Sequence, residues 1–120
     1  MSAGERAARG MAGIGGAVAV AAGASPRTFL RPFGIAPREV TGAAAFGWRL
    51  FAVRTAWLSA LAWRGDETAR GAFAPVQLLD QAVFWHGYAS GAIPRRAAGL
   101  AATASGAIVA LDVVRRAAQE

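Results

Sequence analysis

Three charged side chains lie inside long apolar stretches of this sequence. Arg49 and Arg54 fall within residues 40–63, and Asp80 falls within residues 71–91. An unpaired guanidinium at the centre of a bilayer costs about 2.5–3.5 kcal/mol on insertion scales, so such groups normally face a bundle interior and find a partner. The sequence therefore predicts a buried ionic cluster at which a ligand could bind.

Arg54 and Asp80 are placed symmetrically about a short polar turn. Arg54 precedes Arg64 by ten residues and Asp80 follows Arg70 by ten, which is roughly 15 Å along each helix. In an antiparallel hairpin the two side chains would lie at equal depth, and an arginine–carboxylate pair offsets much of the cost of burying either charge. We expect an ion pair between them.

Arg49 needs a different partner, because its five-residue separation from Arg54 turns it to another side of the helix. Asp112 could supply that partner if the fourth apolar run packs beside the second. Asp112 lies near the end of its run, however, and could instead pair locally with Arg115 or Arg116. Two buried cations therefore face only one clear buried anion.

Two interpretations of the cluster stay open. In the structural one, the three charged residues and the neighbouring Gln77 and Gln81 are polar contacts that fix the register of the helices. In the functional one, an arginine without a protein anion binds the anionic group of an amphipathic ligand in a pocket within the membrane. An enzymatic alternative is an isomerase or cyclase acting on an apolar substrate, with Asp80 as acid or base and Arg49 holding an anionic group.

Other chemistry has little support in the sequence. His86 is the only histidine and lies in an aromatic segment, so we expect it to form hydrogen bonds at a membrane interface, where it borders the candidate site. The chain has no cysteine, which excludes disulfides and thiol catalysis. The acidic residues lack the spacing of metal ligands, and no serine has a nucleophile motif. We predict neither a metal site nor a cofactor.

The composition favours a membrane protein. Charged residues make up 17% of the 120 residues and hydrophobic residues 55%, whereas soluble domains average about 25% charged residues. The net charge of +6 does not indicate nucleic-acid binding, because the arginines are dispersed and flank apolar runs, where they would meet lipid headgroups. Membrane lipid is therefore the expected partner, and nucleic acid is not.

The apolar runs predict an all-α fold, a four-helix transmembrane bundle with antiparallel up-down topology, in a single membrane domain of residues 1–120. The four predicted spans are residues 8–25, 40–63, 71–91 and 97–115. The first run is short, and its two preceding arginines and small-residue end also match a cleaved secretory signal. We expect it to be retained as a helix.

Residues 25–39 connect the first two runs and contain three prolines, which prevent one continuous helix. Apolar residues alternate there with arginines. This pattern suits either a segment lying on the membrane surface with its apolar side down or a loop that caps the bundle. The sequence does not separate these two alternatives.

The R-x4-R spacing of Arg49 and Arg54, the polar turn and the sequence Leu78-Leu79-Asp80 together resemble a family of small bacterial membrane proteins of unknown function. Residues 29–35 are similar to the surface segment that this family carries between its first two spans. The resemblance implies four helices and singles out the three charged residues, but it implies no activity. We expect a multi-pass protein of the bacterial cytoplasmic (inner) membrane.

Partners beyond lipid follow from the same observations. The predicted function is that of an accessory or ligand-binding membrane protein, with a small amphipathic or anionic molecule as ligand. A homo-oligomer or a complex with another membrane protein is compatible with the many small residues, which allow helices to approach closely. A small transporter is a further alternative, and it would need a pathway across the bundle.

Overall fold

The computed structural model describes residues 1–119, which form helices joined by short connections and include no strand. Two 3₁₀ turns, Arg31–Phe33 and Pro37–Glu39, lie between the second and third helices. Each long helix has 22 or 23 residues, which corresponds to roughly 33–35 Å and is enough to cross a hydrocarbon core of about 30 Å. The helices are α1 (Ala3–Ala24), α2 (Pro26–Leu30), α3 (Gly42–Trp63), α4 (Glu67–Ala89) and α5 (Arg95–Ala117).

Side chains at the helix starts fix where three of these helices begin. The hydroxyl of Ser2 accepts a hydrogen bond from the Glu5 amide at 3.1 Å, and Thr41 caps α3 in the same way. The Asp66 carboxylate accepts from the Ala69 amide at 2.8 Å and starts α4. Such caps satisfy amides that have no partner within the helix. Helix α4 begins at Glu67, four residues earlier than predicted, and Pro75 lies inside it.

The long helices pack in the order α3, α1, α5, α4. Helix α1 is central, packing against both α3 and α5, while α4 packs against α5. Ala8, Met11 and Ala22 of α1 have no exposed surface. In contrast, α3 and α4 make few contacts with each other although only a short turn joins them. The expected up-down hairpin of α3 and α4 is therefore splayed.

Apolar side chains form two clusters at opposite ends of the bundle. The first lies by the α3–α4 turn and combines Met11 of α1, Phe73 of α4 and Ile108 of α5 with small residues. The second joins Leu30 of α2 to Val40 and to the start of α3. Segment 25–39 thus turns its apolar residues onto the bundle, which is the geometry of the capping alternative.

Small residues bring α1 and α3 close together. A Cβ atom added at Gly15 would lie 2.7 Å from the Ser59 hydroxyl and 3.1 Å from the Phe73 ring. One added at Gly23 would lie 3.0 Å from the Cβ of Ala52. A side chain at either position would therefore require the neighbouring helix to shift, so these glycines allow the close packing of α1.

The four predicted spans correspond to the four long helices, with boundaries that differ by up to five residues. Only two of the described helices, α1 and α5, are both long and apolar enough to cross a membrane by composition. By this criterion two of the four predicted spans qualify. The arginines of α3 and the polar residues of α4 lower the hydropathy of these two helices.

Candidate functional site

A cavity of about 460 Å³ lies where α3 and α4 diverge. Helices α1 and α5 contribute to its walls, and Phe29 and Phe33 of the capping segment line one end. The cavity lies between the two apolar clusters, and residues of both clusters line it. The walls are mostly apolar and carry six aromatic rings, which belong to Phe29, Phe33, Trp48, Phe51, Phe73 and Phe84.

Four polar side chains interrupt this apolar lining, and Asp80 is the only charged one among them. Asp80 is half-buried at mid-helix, and within residues 1–119 it forms neither an ion pair nor a hydrogen bond that would compensate its charge. Gln77 lies one turn earlier on α4, and its backbone carbonyl accepts a hydrogen bond from the Ser105 hydroxyl at 3.3 Å. Thr55 lines the wall formed by α3.

The predicted ion pair between Arg54 and Asp80 is not formed. Arg54 is exposed on α3 and is not among the residues that line the cavity. The prediction assumed that helices adjacent in the chain pack against each other, whereas α3 packs on α1 and α4 packs on α5. The cavity separates the two helices at the depth where the pair was expected.

Arg49 lies on a different side of α3. It lines a second, shallower groove against the end of α1, where its Nε donates a long hydrogen bond of 3.4 Å to the Gly23 carbonyl. A cation near a helix C-terminus is favourably placed against the helix dipole. Because Arg49 and Asp80 line separate depressions, the enzymatic alternative that places both on one substrate has no geometric support. Arg49 has no contact with Asp112 either, since Asp112 pairs elsewhere.

The remaining candidate residues lie on α4 outside the cavity. Gln81 donates its amide to the Ala102 carbonyl at 2.9 Å and accepts from the Trp85 indole at 3.0 Å, so it links α4 to α5. His86 is exposed in the last turn. Of the six candidate residues, only Gln77 and Asp80 therefore line the cavity.

The charges that are paired lie elsewhere, at the end of the bundle that holds the start of α1, the end of α5 and the α3–α4 turn. We call this set the charged network. It joins three acidic residues to arginines contributed by α1, α4 and α5. Its members are Glu5, Arg9, Glu67, Arg70, Asp112, Arg115 and Arg116.

Arg70 is the centre of one half of the charged network. Its side chain is 5% exposed, and its two terminal nitrogens contact both oxygens of Glu5 at 2.8 and 2.9 Å. Its Nε also donates to the Ala62 carbonyl of α3 at 2.7 Å. This bidentate geometry is the strongest form of arginine–carboxylate contact. It ties α1, α3 and α4 together.

Asp112 is the centre of the other half. Its side chain is 3% exposed and contacts Arg115 at 2.8 Å and Arg116 at 2.7 Å. Arg115 reaches Glu67 of α4 at 3.4 Å, which completes the link between α4 and α5. The local alternative predicted for Asp112 is thus the geometry observed.

The sequence indicates the contacts of Asp112 with Arg115 and Arg116 but not the rest of this network, because Arg70 flanks an apolar run and is expected there to meet lipid headgroups. The spacing of charged residues does indicate two of these ion pairs. Glu5 and Arg9 are four residues apart, and Asp112 precedes Arg115 by three, which places each pair on one helix face. The Arg70–Glu5 contact spans 65 residues and carries no local signal.

No family model, curated protein or solved structure matches this chain. Within residues 1–119, no group of three or more metal-ligating side chains is placed to hold an ion. The cavity is therefore the feature of the described chain that best indicates a function.

Proposed function

We propose that this chain is a small integral protein of the bacterial cytoplasmic membrane that binds a lipophilic molecule in the cavity between α3 and α4. The observation that carries the proposal is the cavity itself, which has about 460 Å³, aromatic walls and few polar groups. Ligand sites in proteins commonly measure 300–1,000 Å³ and have this kind of lining. In our proposal all four long helices span the bilayer.

Large apolar side chains on the outer surface support this placement. They form stripes at helical spacing on α3 and α4, the two helices that fail the hydropathy criterion. Soluble monomers rarely expose contiguous apolar surface of this extent, whereas lipid favours it. The exposed residues are Phe46, Leu50, Val53 and Trp57 on α3 and Val76, Leu79 and Val83 on α4.

The two arginines of α3 are compatible with a spanning helix. Arg49 follows Gly42 by seven residues, which places it roughly 10 Å from the start of α3. Arg54 precedes Trp63 by nine residues, or roughly 13 Å from the other end. The long side chain lets the Arg49 guanidinium extend toward the headgroup region while its stem stays in apolar surroundings. Arg54 lies close to the middle of α3, so its guanidinium is accommodated only by local thinning of the bilayer and entry of water, at a cost of about 2.5–3.5 kcal/mol.

Carbonate washing of membranes tests whether the protein is integral. We expect the protein to stay in the membrane pellet at alkaline pH and to leave it only with detergent. Release into the supernatant by carbonate alone would contradict membrane insertion and would leave a peripheral helical protein.

A cavity-filling variant tests ligand binding. Gly47 lines the cavity, and a Cβ atom at that position meets no other atom within 4 Å, so Gly47→Leu adds a side chain without a backbone clash. Gly42→Leu is the matched control, because Gly42 is equally open on the same helix but does not line the cavity. We expect organic extraction and mass spectrometry of purified protein to recover a lipophilic compound from the wild type and from Gly42→Leu, and much less from Gly47→Leu. Equal recovery from all three proteins would contradict the proposal.

A further inference from the structure

We infer that the cavity selects lipophilic cations, such as an amine or a quaternary ammonium group that carries an apolar body, and that Asp80 is their counter-ion. The inference rests on the lipophilic-ligand site proposed above and adds the charge of the ligand. It reverses the expectation from the sequence, which favoured an anionic ligand held by arginine.

The sign of the charge in the cavity is the first argument. The chain contains 13 arginines and seven acidic residues, yet the described residues that line the cavity include one acid and no arginine. A carboxylate in apolar surroundings favours a positively charged group and disfavours an anion. Arg49, the best anion-binding candidate of the sequence, lines the separate groove against α1.

The state of the Asp80 carboxylate is the second argument. The other half-buried or buried acids of the described chain, Glu5 and Asp112, are each satisfied by arginines at 3.2 Å or less. Asp80 has no such partner, although it lies at mid-helix where a lone charge is costly in a membrane. A cationic ligand would supply the compensation that the protein supplies to Glu5 and Asp112.

The aromatic rings are the third argument. Six rings line the cavity, and among them Phe84 lies one turn beyond Asp80 on α4. The faces of aromatic rings attract cations through their quadrupole, most strongly when water is excluded, and they also pack against an apolar body. Aromatic walls with a single carboxylate are therefore suited to a bulky, weakly hydrated cation.

Two ions of nearly the same shape and opposite charge test the inference. Tetraphenylphosphonium is a lipophilic cation, and tetraphenylborate is the corresponding anion. Equilibrium dialysis in uncharged detergent micelles measures the affinity of each for the wild type and for the variants Asp80→Asn, Glu39→Gln and Gly47→Leu. Glu39→Gln is the control for net charge, because Glu39 is exposed and lies outside the cavity. Circular dichroism confirms that each variant stays helical.

We expect the wild type to bind the phosphonium ion in preference to the borate. Asp80→Asn should weaken phosphonium binding by roughly tenfold or more, as loss of a charge-assisted contact does, whereas Glu39→Gln should leave it unchanged. Gly47→Leu should weaken it as well, because it fills the cavity.

The failures of the two proposals have different signatures. Borate binding that equals phosphonium binding, that responds to Gly47→Leu and that does not change in Asp80→Asn would overturn the cation inference and leave the lipophilic site intact. Binding of neither ion would overturn the cation inference alone, because the proposed lipophilic ligand need not be charged. Binding of the ions that Gly47→Leu does not affect would overturn both the inference and the proposed function.

Discussion

The charged network and the cavity each contain acidic side chains among apolar helices. They differ in whether the carboxylate has a partner of opposite charge. Asp112 in the network is almost fully buried and lies between two arginines. Asp80 in the cavity is half-buried and has no partner among residues 1–119. A buried charge stabilises a fold only when its partner offsets the loss of hydration. The network thus joins the helices, whereas the Asp80 carboxylate is the group to which we propose that a cationic ligand binds.

The same division appears in the packing of the helices. At the network end, the Arg70 side chain joins three helices through its contacts with Glu5 and Ala62. Further along, α3 and α4 part, and the space between them is the cavity. The helices are thus joined at the network end and separated at the cavity, and an open cavity of this kind is expected to lower stability, as proposed binding sites commonly do. Matched substitutions in the two regions test this comparison.

Neutralising the two aspartates should have opposite consequences for stability. Asp112→Asn leaves the buried Arg115 without its closest anion, and we expect a loss of about 3 kcal/mol. The identical change Asp80→Asn removes a charge that has no partner, so the protein should be as stable as the wild type or more so. Thermal unfolding followed by circular dichroism in the same detergent compares them. Equal losses would mean that Asp80 has a structural partner.

Removing the Arg70 guanidinium should have the next largest effect. Arg70→Met keeps an apolar stem of similar length but loses the donors to Glu5 and to the Ala62 carbonyl, and we expect a loss of about 2 kcal/mol. Arg64→Met is the control, because Arg64 is exposed and forms no ion pair within the described chain. A similar loss in both variants would show that arginine content alone is responsible.

Adding a methyl group to α1 tests the close packing that keeps this helix central. Gly15→Ala places a Cβ against Ser59 and Phe73, and the strain should exceed the gain in helix propensity, for a net loss of about 1 kcal/mol. At Gly13 the nearest atom is 3.8 Å away, in the Trp63 ring, so Gly13→Ala should be neutral or stabilising. Thermal unfolding measures the two shifts in melting temperature, and we expect a decrease only for Gly15→Ala. Shifts of the same sign would contradict the close packing of α1 at Gly15.

The smallest expected effect concerns the Ser59 hydroxyl. This atom is buried and has no hydrogen-bond partner in the described structure, and an unsatisfied hydroxyl in an apolar interior is unfavourable. Ser59→Ala should therefore raise the melting temperature slightly, by the equivalent of less than about 1 kcal/mol. A clear loss of stability would mean that the hydroxyl is hydrogen-bonded in the membrane.

The sequence predicts the positions of the long helices well, but it predicts poorly which helices pack against each other. Apolar runs, the three prolines of residues 25–39 and the polar turn at Gly65 locate every long helix, because these signals are local. Which helices touch depends on how small residues such as Gly15 and Gly23 fit against α3. That fit involves residues far apart in the chain. The expectation that helices joined by a short turn pack against each other is therefore wrong for α3 and α4.

The sequence also predicts only part of the candidate site, because its signals are local and the site is formed by residues far apart in the chain. Asp80 and Gln77 stand out as polar residues in an apolar run, and both line the cavity. The aromatic walls come from the capping segment, α3 and α4, and nothing local in Phe29 or Phe33 indicates that they meet Asp80. Arg54 was paired with Asp80 only because both are ten residues from the turn, and this spacing fixes depth but not contact.

Cysteine cross-linking in native membranes tests the central claim, the divergence of α3 and α4, most directly. The chain has no cysteine of its own, and a disulfide requires Cα atoms within roughly 7 Å. The pair Gln77→Cys and Ser105→Cys spans the close contact of α4 and α5 and is the positive control. With a mild oxidant, we expect this control pair to form a disulfide and the pair Arg54→Cys and Asp80→Cys to stay reduced. Efficient cross-linking between positions 54 and 80 would show that α3 and α4 pack together in the membrane, and the cavity and both proposals built on it would be wrong.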